Sequence, residues 1–359
     1  MSQPSRRIEM LSGQLSNESP VAALLRKTNN DAVFTLAIRT ALTKSRKWYL
    51  KDTQLEGLLV PLLQDAPFVM RAAGLAAGFP ATTAMSTASR WCSSGLLAGE
   101  AVAQKVASGS IDIGIAIGAE SMSTNPDTGP PSFPPGFMAQ PVIKDLTEPI
   151  PWTAENVARD FGITRERQDE YAAASVNKAE AAQKGGFTAD EIVPILTAWK
   201  DPKTGELRQV VVERDDGIRG NASQITDGAA AVLVMRREMT ERLRQPVLGK
   251  YVQSTVVGLD PRIMGIGPAY AIPKLLSKVG ITKDDVDIFE INEAFASMAS
   301  RRAATKGYGK TFIDPLGHPL GCTGARQIIT ALSELRRTGG RIAVTSMCVG
   351  TVSPPEPFV

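Results

Sequence analysis

Two stretches of this chain, some 230 residues apart, follow one plan, and the repetition narrows the folds open to it. In the first, Cys92-Ser93-Ser94-Gly95 opens a run from Leu96 to Ser108 that is rich in Ala, Leu and Val, and Gly109 stops it. The segment Ile111-Asp112-Ile113-Gly114-Ile115-Ala116-Ile117-Gly118 then alternates Ile with mostly small residues. These patterns predict a helix, then a strand with one bulky and one close-packed face. In the second stretch, Gly321-Cys322-Thr323-Gly324 opens a helical run through Leu335 and Gly339-Gly340 stops it. A strand follows from Ile342 and ends in Ser346-Met347-Cys348-Val349-Gly350. A repeated helix–glycine–strand plan predicts an α/β protein built on a duplicated unit.

The 359 residues suit about two domains. Residues 1–30 are expected to be a separate N-terminal segment, 31–235 the first half and 236–359 the second. The first half is expected to carry an insertion over about residues 121–219, where the character of the chain changes. Asn125 to Pro141 holds six prolines, which predict an irregular loop. Thr153 to Lys184 is helical in composition, with Thr153 as an N-cap. Ala231–Met235 and Val286–Ile291 are further strand candidates.

Forty basic and 37 acidic side chains leave a net charge of +3, which argues against nucleic acid or membrane lipid as a partner. The uncharged stretch from Ala72 to Ser89 is interrupted by Gly74, Gly78 and Pro80, and it falls short of the roughly 20 apolar residues of a membrane span. No secretory signal is expected, because the N-terminus has no apolar central block. Three cysteines cannot close a disulfide framework, so a reducing compartment is the default. The first 51 residues carry nine basic and three acidic side chains. Within them Arg7 and Gln14, like Ile8 and Leu15, are seven apart and share one face of a helix. That face is either a stripe read by a receptor or an ordinary amphipathic helix.

The chain has one histidine, so any imidazole base must be His318. It lies among turn residues, Gly317-His318-Pro319-Leu320-Gly321, on a tip that a rigid unit can aim. Cys92 stands at a predicted helix start, where free backbone N–H groups and the helix dipole favour a thiolate and a lowered pKa. The competing reading is a buried cysteine acting as a small hydrophobe. Cys348 follows a strand, and Gly350 beyond it can offer a backbone N–H to an oxyanion. A zinc site from Cys92, His318, Cys322 and Cys348 is the rival use of these residues, but the paired-cysteine spacing of structural zinc sites is missing. The phosphate-binding and dinucleotide-binding glycine fingerprints are missing from the sequence as well.

Taken in order, Cys92-Ser93-Ser94-Gly95-Leu96, Gly118-Ala119-Glu120-Ser121-Met122-Ser123, Gly220-Asn221-Ala222-Ser223-Gln224, Asn292-Glu293-Ala294-Phe295-Ala296, Gly317 to Arg326 and Cys348-Val349-Gly350-Thr351 resemble the motifs of the thiolase family, in its fungal-type peroxisomal branch. The likeness runs from about Asp31 to Thr351. It implies the thiolase fold, with two duplicated βαβαβαββ-type units in a five-layered α-β-α-β-α arrangement and a loop-domain insertion. It implies thiolytic cleavage of 3-ketoacyl-CoA in fatty-acid β-oxidation, with coenzyme A as co-substrate and no bound cofactor or metal. By the same likeness Cys92 is the acylated nucleophile, His318 takes its proton, and Cys348 is the second acid/base. Asn292 holds a water for one oxyanion hole, the backbone N–H groups of Cys92 and Gly350 form the other, and Ser223 lies near bound CoA. A homodimer is implied, and with Arg7-Ile8 and Gln14-Leu15 read as a targeting signal, so are a peroxisomal import receptor and a peroxisomal location.

Several stretches are shorter than the family pattern. Leu63 to Pro67 runs almost directly into Arg71, Asp216-Gly217-Ile218-Arg219 passes straight to Gly220, Phe312 to Leu316 replaces a glycine-rich strand lead, and prolines follow Thr351. These gaps are expected to remove strands. Two other readings therefore stand beside thiolysis: an acetoacetyl-CoA thiolase working toward condensation, and a non-catalytic thiolase-like protein that binds CoA.

Overall fold

The computed structural model describes residues 18–46, 49–52, 66–124, 133–216, 225–299, 311–314 and 317–350. The N-terminal stripe from Arg7 to Leu15 lies outside them, as does Ser223.

Both repeated units form as their sequences require. Helix α1 (Ser94–Ala107) is followed by Gly109 at a φ of 76° and then by strand β3 (Ile113–Ser121). Helix α2 (Leu320–Thr338) is capped by Gly339 at a φ of 69° and followed by strand β10 (Ala343–Ser346). Left-handed backbone at a helix end favours glycine, which has no Cβ to clash, and this explains the stop signals in both copies.

The first sheet takes β1 (Ala32–Arg39), β2 (Thr43–Lys44), β3, β6 (Thr226–Arg236) and β7 (Gly249–Lys250), with β6 antiparallel to β1 on one side and to β3 on the other. The second takes β8 (Ile288–Asn292), β9 (Thr311–Asp314) and β10, all parallel in the order β10-β8-β9. Among the described residues the two halves thus share the helix–glycine–strand core but differ in the strands around it. Ala231–Met235 falls in β6, and of the second candidate Ile288–Ile291 falls in β8, with Val286 ending the turn before it. Phe312 does not mark a lost strand, because Thr311–Asp314 pairs with β8 as β9.

Helix α2 lies between the two sheets. Its Cys322, Ala325 and Ile329 pack with Ala116 of β3 and Val232 of β6, while its Arg326 and Gln327 reach Glu290 of β8. Glycine lets its first turn approach so closely. A Cβ on Gly324 would stand 2.2 Å from the Leu96 backbone nitrogen, and one on Gly95 would stand 2.4 Å from that of Ala325. On β3, a Cβ at Gly118 would stand 2.3 Å from the Gly321 carbonyl oxygen. The first turns of α1 and α2 therefore touch backbone to backbone. Cys92 and His318 stand just before these two touching turns.

Gly324→Ala should force the helices apart, since neither backbone can yield. Overpacking of this kind costs up to about 3 kcal/mol, and a thermal melt should show the midpoint falling by several degrees. An unchanged midpoint would contradict the packing described.

The described part of the proline-rich stretch is less irregular than expected, with short helices at Pro135–Met138 and Pro141–Thr147. The long helical stretch is two helices, Ile150–Asp160 and Arg165–Lys184. Thr153 is not an N-cap. Pro149 and Pro151 start the first helix earlier, and the Thr153 hydroxyl donates back to the Ile150 carbonyl at 2.7 Å. The side chain that caps is Thr164, which accepts from the Arg167 N–H. A hairpin of β4 (Ile195–Lys200) and β5 (Leu207–Val212) follows. Arg39 on β1 ties the insertion to the core. Its guanidinium donates to Asp215 at 2.6 and 2.9 Å and to Glu191 at 3.0 Å, and all three side chains are buried. No helix among the described residues is long and apolar enough to cross a membrane.

Candidate active site

Cys92 lies in a single 3-10 turn, Trp91–Ser93, directly before α1. Trp91 holds a φ of 45°, an uncommon conformation for a side-chain-bearing residue, so the turn is sharply bent. The two serines after Cys92 stabilise that bend. Ser94 accepts from the Arg90 N–H at 2.9 Å and donates to the Trp91 carbonyl at 2.7 Å, and Ser93 donates to the Arg90 carbonyl at 3.2 Å.

The strand end after β10 comes to the same place. The backbone N–H of Gly350 faces the Cys92 sulfur closely enough to favour its thiolate, and the N–H of Cys92 acts in the same direction. A Cβ at Gly350 would meet the Met264 methyl at 2.7 Å, so a side chain there would crowd the site. Cys92, Asn292, His318 and Cys348 are all buried. Asn292 ends β8, one register step from the Ser346–Ile291 pair that leads to Cys348. Cys322 is fully buried in the core beside Ala116 and Val232 and plays a packing part. Among the described residues no group of three or more His, Cys, Asp or Glu could hold a metal ion.

The expected lowering of the Cys92 pKa is overturned. Burial and the neighbouring Cys348 thiol push it up to about 12, and Glu120 adds to the rise, while the Gly350 and Cys92 N–H groups act in the other direction. The resting sulfur is a thiol, and a base must remove its proton. His318 is unprotonated at pH 7: burial, then the Arg326 charge, bring its pKa down to about 4.

This shift has a consequence for stability. The unfolded chain takes up the histidine proton near pH 6.5, the folded one only near pH 4. Between those values the unfolded state binds more protons, so the histidine term in stability is complete above pH 6.5 and is lost as pH falls toward 4. In thermal melts from pH 7 to pH 4, wild type should lose more stability than His318→Gln over that window. Parallel curves for the two would contradict the buried, neutral ring.

Motif residues not singled out one by one hold this site together. Glu120 Oε2 accepts from the Gly321 N–H at 3.2 Å, joining β3 to the first turn of α2. Glu293, next to Asn292, accepts from Tyr171 and, at 2.6 Å, from Ser175 on the Arg165–Lys184 helix. Arg326 pairs with Glu290 at 2.6 Å, both fully buried. All but Tyr171, Ser175 and Glu290 fall inside the quoted motifs, and that membership was their only sequence signal.

Residues 57–238 match the family model described as "Thiolase, N-terminal domain", and residues 245–354 match "Thiolase, C-terminal domain". The chain is 41% identical to the peroxisomal 3-ketoacyl-CoA thiolase of Yarrowia lipolytica over 384 aligned positions, covering 92% of each protein. That span exceeds the 359 residues of the chain itself, so this relative carries internal segments the chain lacks. Identity to the human peroxisomal 3-ketoacyl-CoA thiolase is 40%, over 88% of this chain and 81% of the human one. Among solved structures, the dimeric peroxisomal thiolase of Saccharomyces cerevisiae superposes with a TM-score of 0.82 at 37% identity, covering 92% of this chain and 97% of that one. A second structure of the yeast protein, at 38% identity and a TM-score of 0.76, is described as a five-layered α-β-α-β-α structure made of two core domains of identical topology, with coverage of 91% and 97%. Human mitochondrial 3-ketoacyl-CoA thiolase in complex with CoA matches with a TM-score of 0.76 at 28% identity, covering 91% and 97%.

Proposed function

The chain belongs to the thiolase family and has its five-layered α-β-α-β-α fold, and from that premise we propose how its residues divide the work of a peroxisomal 3-ketoacyl-CoA thiolase, an acetyl-CoA C-acyltransferase of fatty-acid β-oxidation. The observation that supports the reading is the meeting of the Cys92 turn with the Cys348–Gly350 strand end, the Gly350 N–H facing the Cys92 sulfur, while His318 precedes the helix whose first turn touches that of α1.

In the proposed reaction His318 takes the Cys92 proton and the thiolate attacks the 3-keto carbon of the substrate. The oxyanion that forms is stabilised by donors already in place, which cost no reorganisation as charge develops. The C2–C3 bond breaks, leaving an acyl group on Cys92 and the acetyl-CoA enolate, which Cys348 protonates. The Cys348 thiolate then takes the proton of an incoming CoA thiol. CoA attacks the acyl-cysteine, the shortened acyl-CoA leaves, and Cys92 recovers its proton from His318. This is covalent catalysis with separate nucleophilic and acid/base thiols. Burial suits the division, because a high resting pKa keeps Cys92 protonated until a base and substrate are both present.

Two oxyanion sites are proposed, one from the Cys92 and Gly350 backbone N–H groups and one from His318 with a water held by Asn292. Ser223 is proposed to line the CoA site. Coenzyme A enters as co-substrate, with no resident cofactor, and the working form is a homodimer. Relatives named peroxisomal support a peroxisomal location for this chain, and Arg7-Ile8 with Gln14-Leu15 is proposed as the stripe an import receptor reads. The halves are proposed to meet near residue 235, with residues 121–219 as the insertion of the first.

Purified protein given 3-ketoacyl-CoA and CoA should release acetyl-CoA and a shortened acyl-CoA in equal amounts. Folded protein that binds CoA and forms neither product would refute thiolysis and favour a non-catalytic CoA-binding role.

A further inference from the structure

A base is useful to Cys92 only through a lone pair, and a neutral imidazole has one on just one of its two nitrogens. His318 Nδ1 lies 2.6 Å from the hydroxyl oxygen of Thr323, and both side chains are buried. That hydroxyl has a single proton, and the Pro319 carbonyl 2.9 Å away can only accept it. A hydroxyl already donating to a carbonyl can meet a second polar atom only as an acceptor.

We propose that Thr323 is a positioning residue: its hydroxyl accepts from the Nδ1–H of His318, fixing the Nδ1-protonated tautomer and leaving Nε2 as the lone pair that takes the Cys92 proton. The proposal rests on the reading of Cys92 and His318 given above, but the tautomer can be observed without any turnover.

Three features support it. The ring is neutral at pH 7, because burial and then the Arg326 charge hold its pKa near 4, so it carries one N–H and must place it somewhere. The hydroxyl is itself fixed, since Thr323 sits in the first turn of α2, which Gly324 and Gly95 clamp against α1. The Pro319 carbonyl, which also receives the backbone N–H groups of Cys322 and Thr323 at 3.0 Å each, can only accept, so it draws the hydroxyl proton away from the ring. The tautomer of a catalytic histidine is set by the bond its other nitrogen makes, and here that bond is to a side chain five residues further on.

His318 is the only histidine in the chain, which makes the test direct. A solid-state 15N spectrum of untagged protein labelled with ring-15N histidine contains a single imidazole. The expected result at pH 7 is a protonated Nδ1 and an unprotonated Nε2; the opposite pattern overturns the proposal. In Thr323→Val, which keeps the branched shape and removes the acceptor, the Nε2-protonated form should gain. Alkylation of Cys92 by iodoacetamide at pH 7, read on the Cys92 peptide by mass, should fall by about 10²-fold, the lower range for a positioned base. Thr323→Ser should restore both. A merely structural role would lower the melting temperature yet leave tautomer and alkylation rate unchanged in the folded fraction, and that result refutes the proposal. Should Thr323→Val fail to fold, the wild-type tautomer still decides. Failure of the thiolase reading would appear separately, as absent thiolysis in protein whose tautomer is as described.

Discussion

Cys92→Ala should abolish thiolysis, lowering the rate by roughly 10⁴ to 10⁶-fold, because removing a covalent nucleophile leaves only binding and oxyanion stabilisation. The fold should tolerate the change. Cys92 lies in a turn held by Ser93 and Ser94, and loss of its sulfur removes no backbone bond of that turn. Cys348→Ala is expected to behave differently, since it removes the acid/base thiol and keeps the nucleophile. Cys92 should still acylate, slowly, while release to CoA stalls. Steady-state rates of acetyl-CoA formation check the first variant, and pre-steady-state acylation separates the second from it. Full activity in Cys92→Ala would refute the assignment of the nucleophile.

The second large effect lies far from the chemistry. Arg39→Met removes the cation between Asp215 and Glu191 and leaves two buried carboxylates facing a methionine. Asp215 keeps the Leu42 N–H at 2.8 Å and Glu191 keeps the Thr330 hydroxyl at 3.1 Å, but neither keeps a counter-charge on Arg39. Breaking a buried ion pair by removing one partner costs about 3–5 kcal/mol. Part of this loss should be recovered at low pH, because burial already raises the Glu191 pKa against the opposing pull of Arg39, and without that pull it protonates more readily. Denaturant unfolding at pH 7 and pH 5 checks both statements. A stability loss below about 1 kcal/mol at pH 7 would mean that water reaches the network.

Local chemistry explains which parts of this molecule could be read from the chain. Gly109 and Gly339 stop their helices because the next backbone step has positive φ, a requirement visible as glycine alone. The placement of Cys92 and His318 at turn–helix junctions could be read for the same reason. The Cys92 pKa could not be, because the helix-start argument sees only the donors. The burial and the Cys348 thiol that outweigh them come from strands more than 200 residues away. The Arg39–Asp215 pair, 176 residues apart, leaves no local mark. Thr153 misled because Pro149 and Pro151, which look like breakers, start the helix earlier; the break into two helices shows in Gly162, at a φ of 63°, and the Thr164 cap. Phe312 was legible as a departure from the family pattern but not as a strand, since a short parallel strand is defined by its neighbour more than by its own sequence.

The chain is shorter than its relatives, yet the features that bring its reactive groups together are all present: the glycine contact between α1 and α2, the β10 strand end and the β8 motif.

The most direct test of that account is to trap the intermediate. Wild-type protein is mixed with a 3-ketoacyl-CoA in the absence of free CoA, quenched in acid, digested and mapped by mass. The expected result is one acyl group, two carbons shorter than the substrate, on the Cys92 peptide, with Cys322 and Cys348 unmodified and the adduct removed on adding CoA. An adduct confined to Cys348, or none in folded protein that binds the substrate, would contradict it.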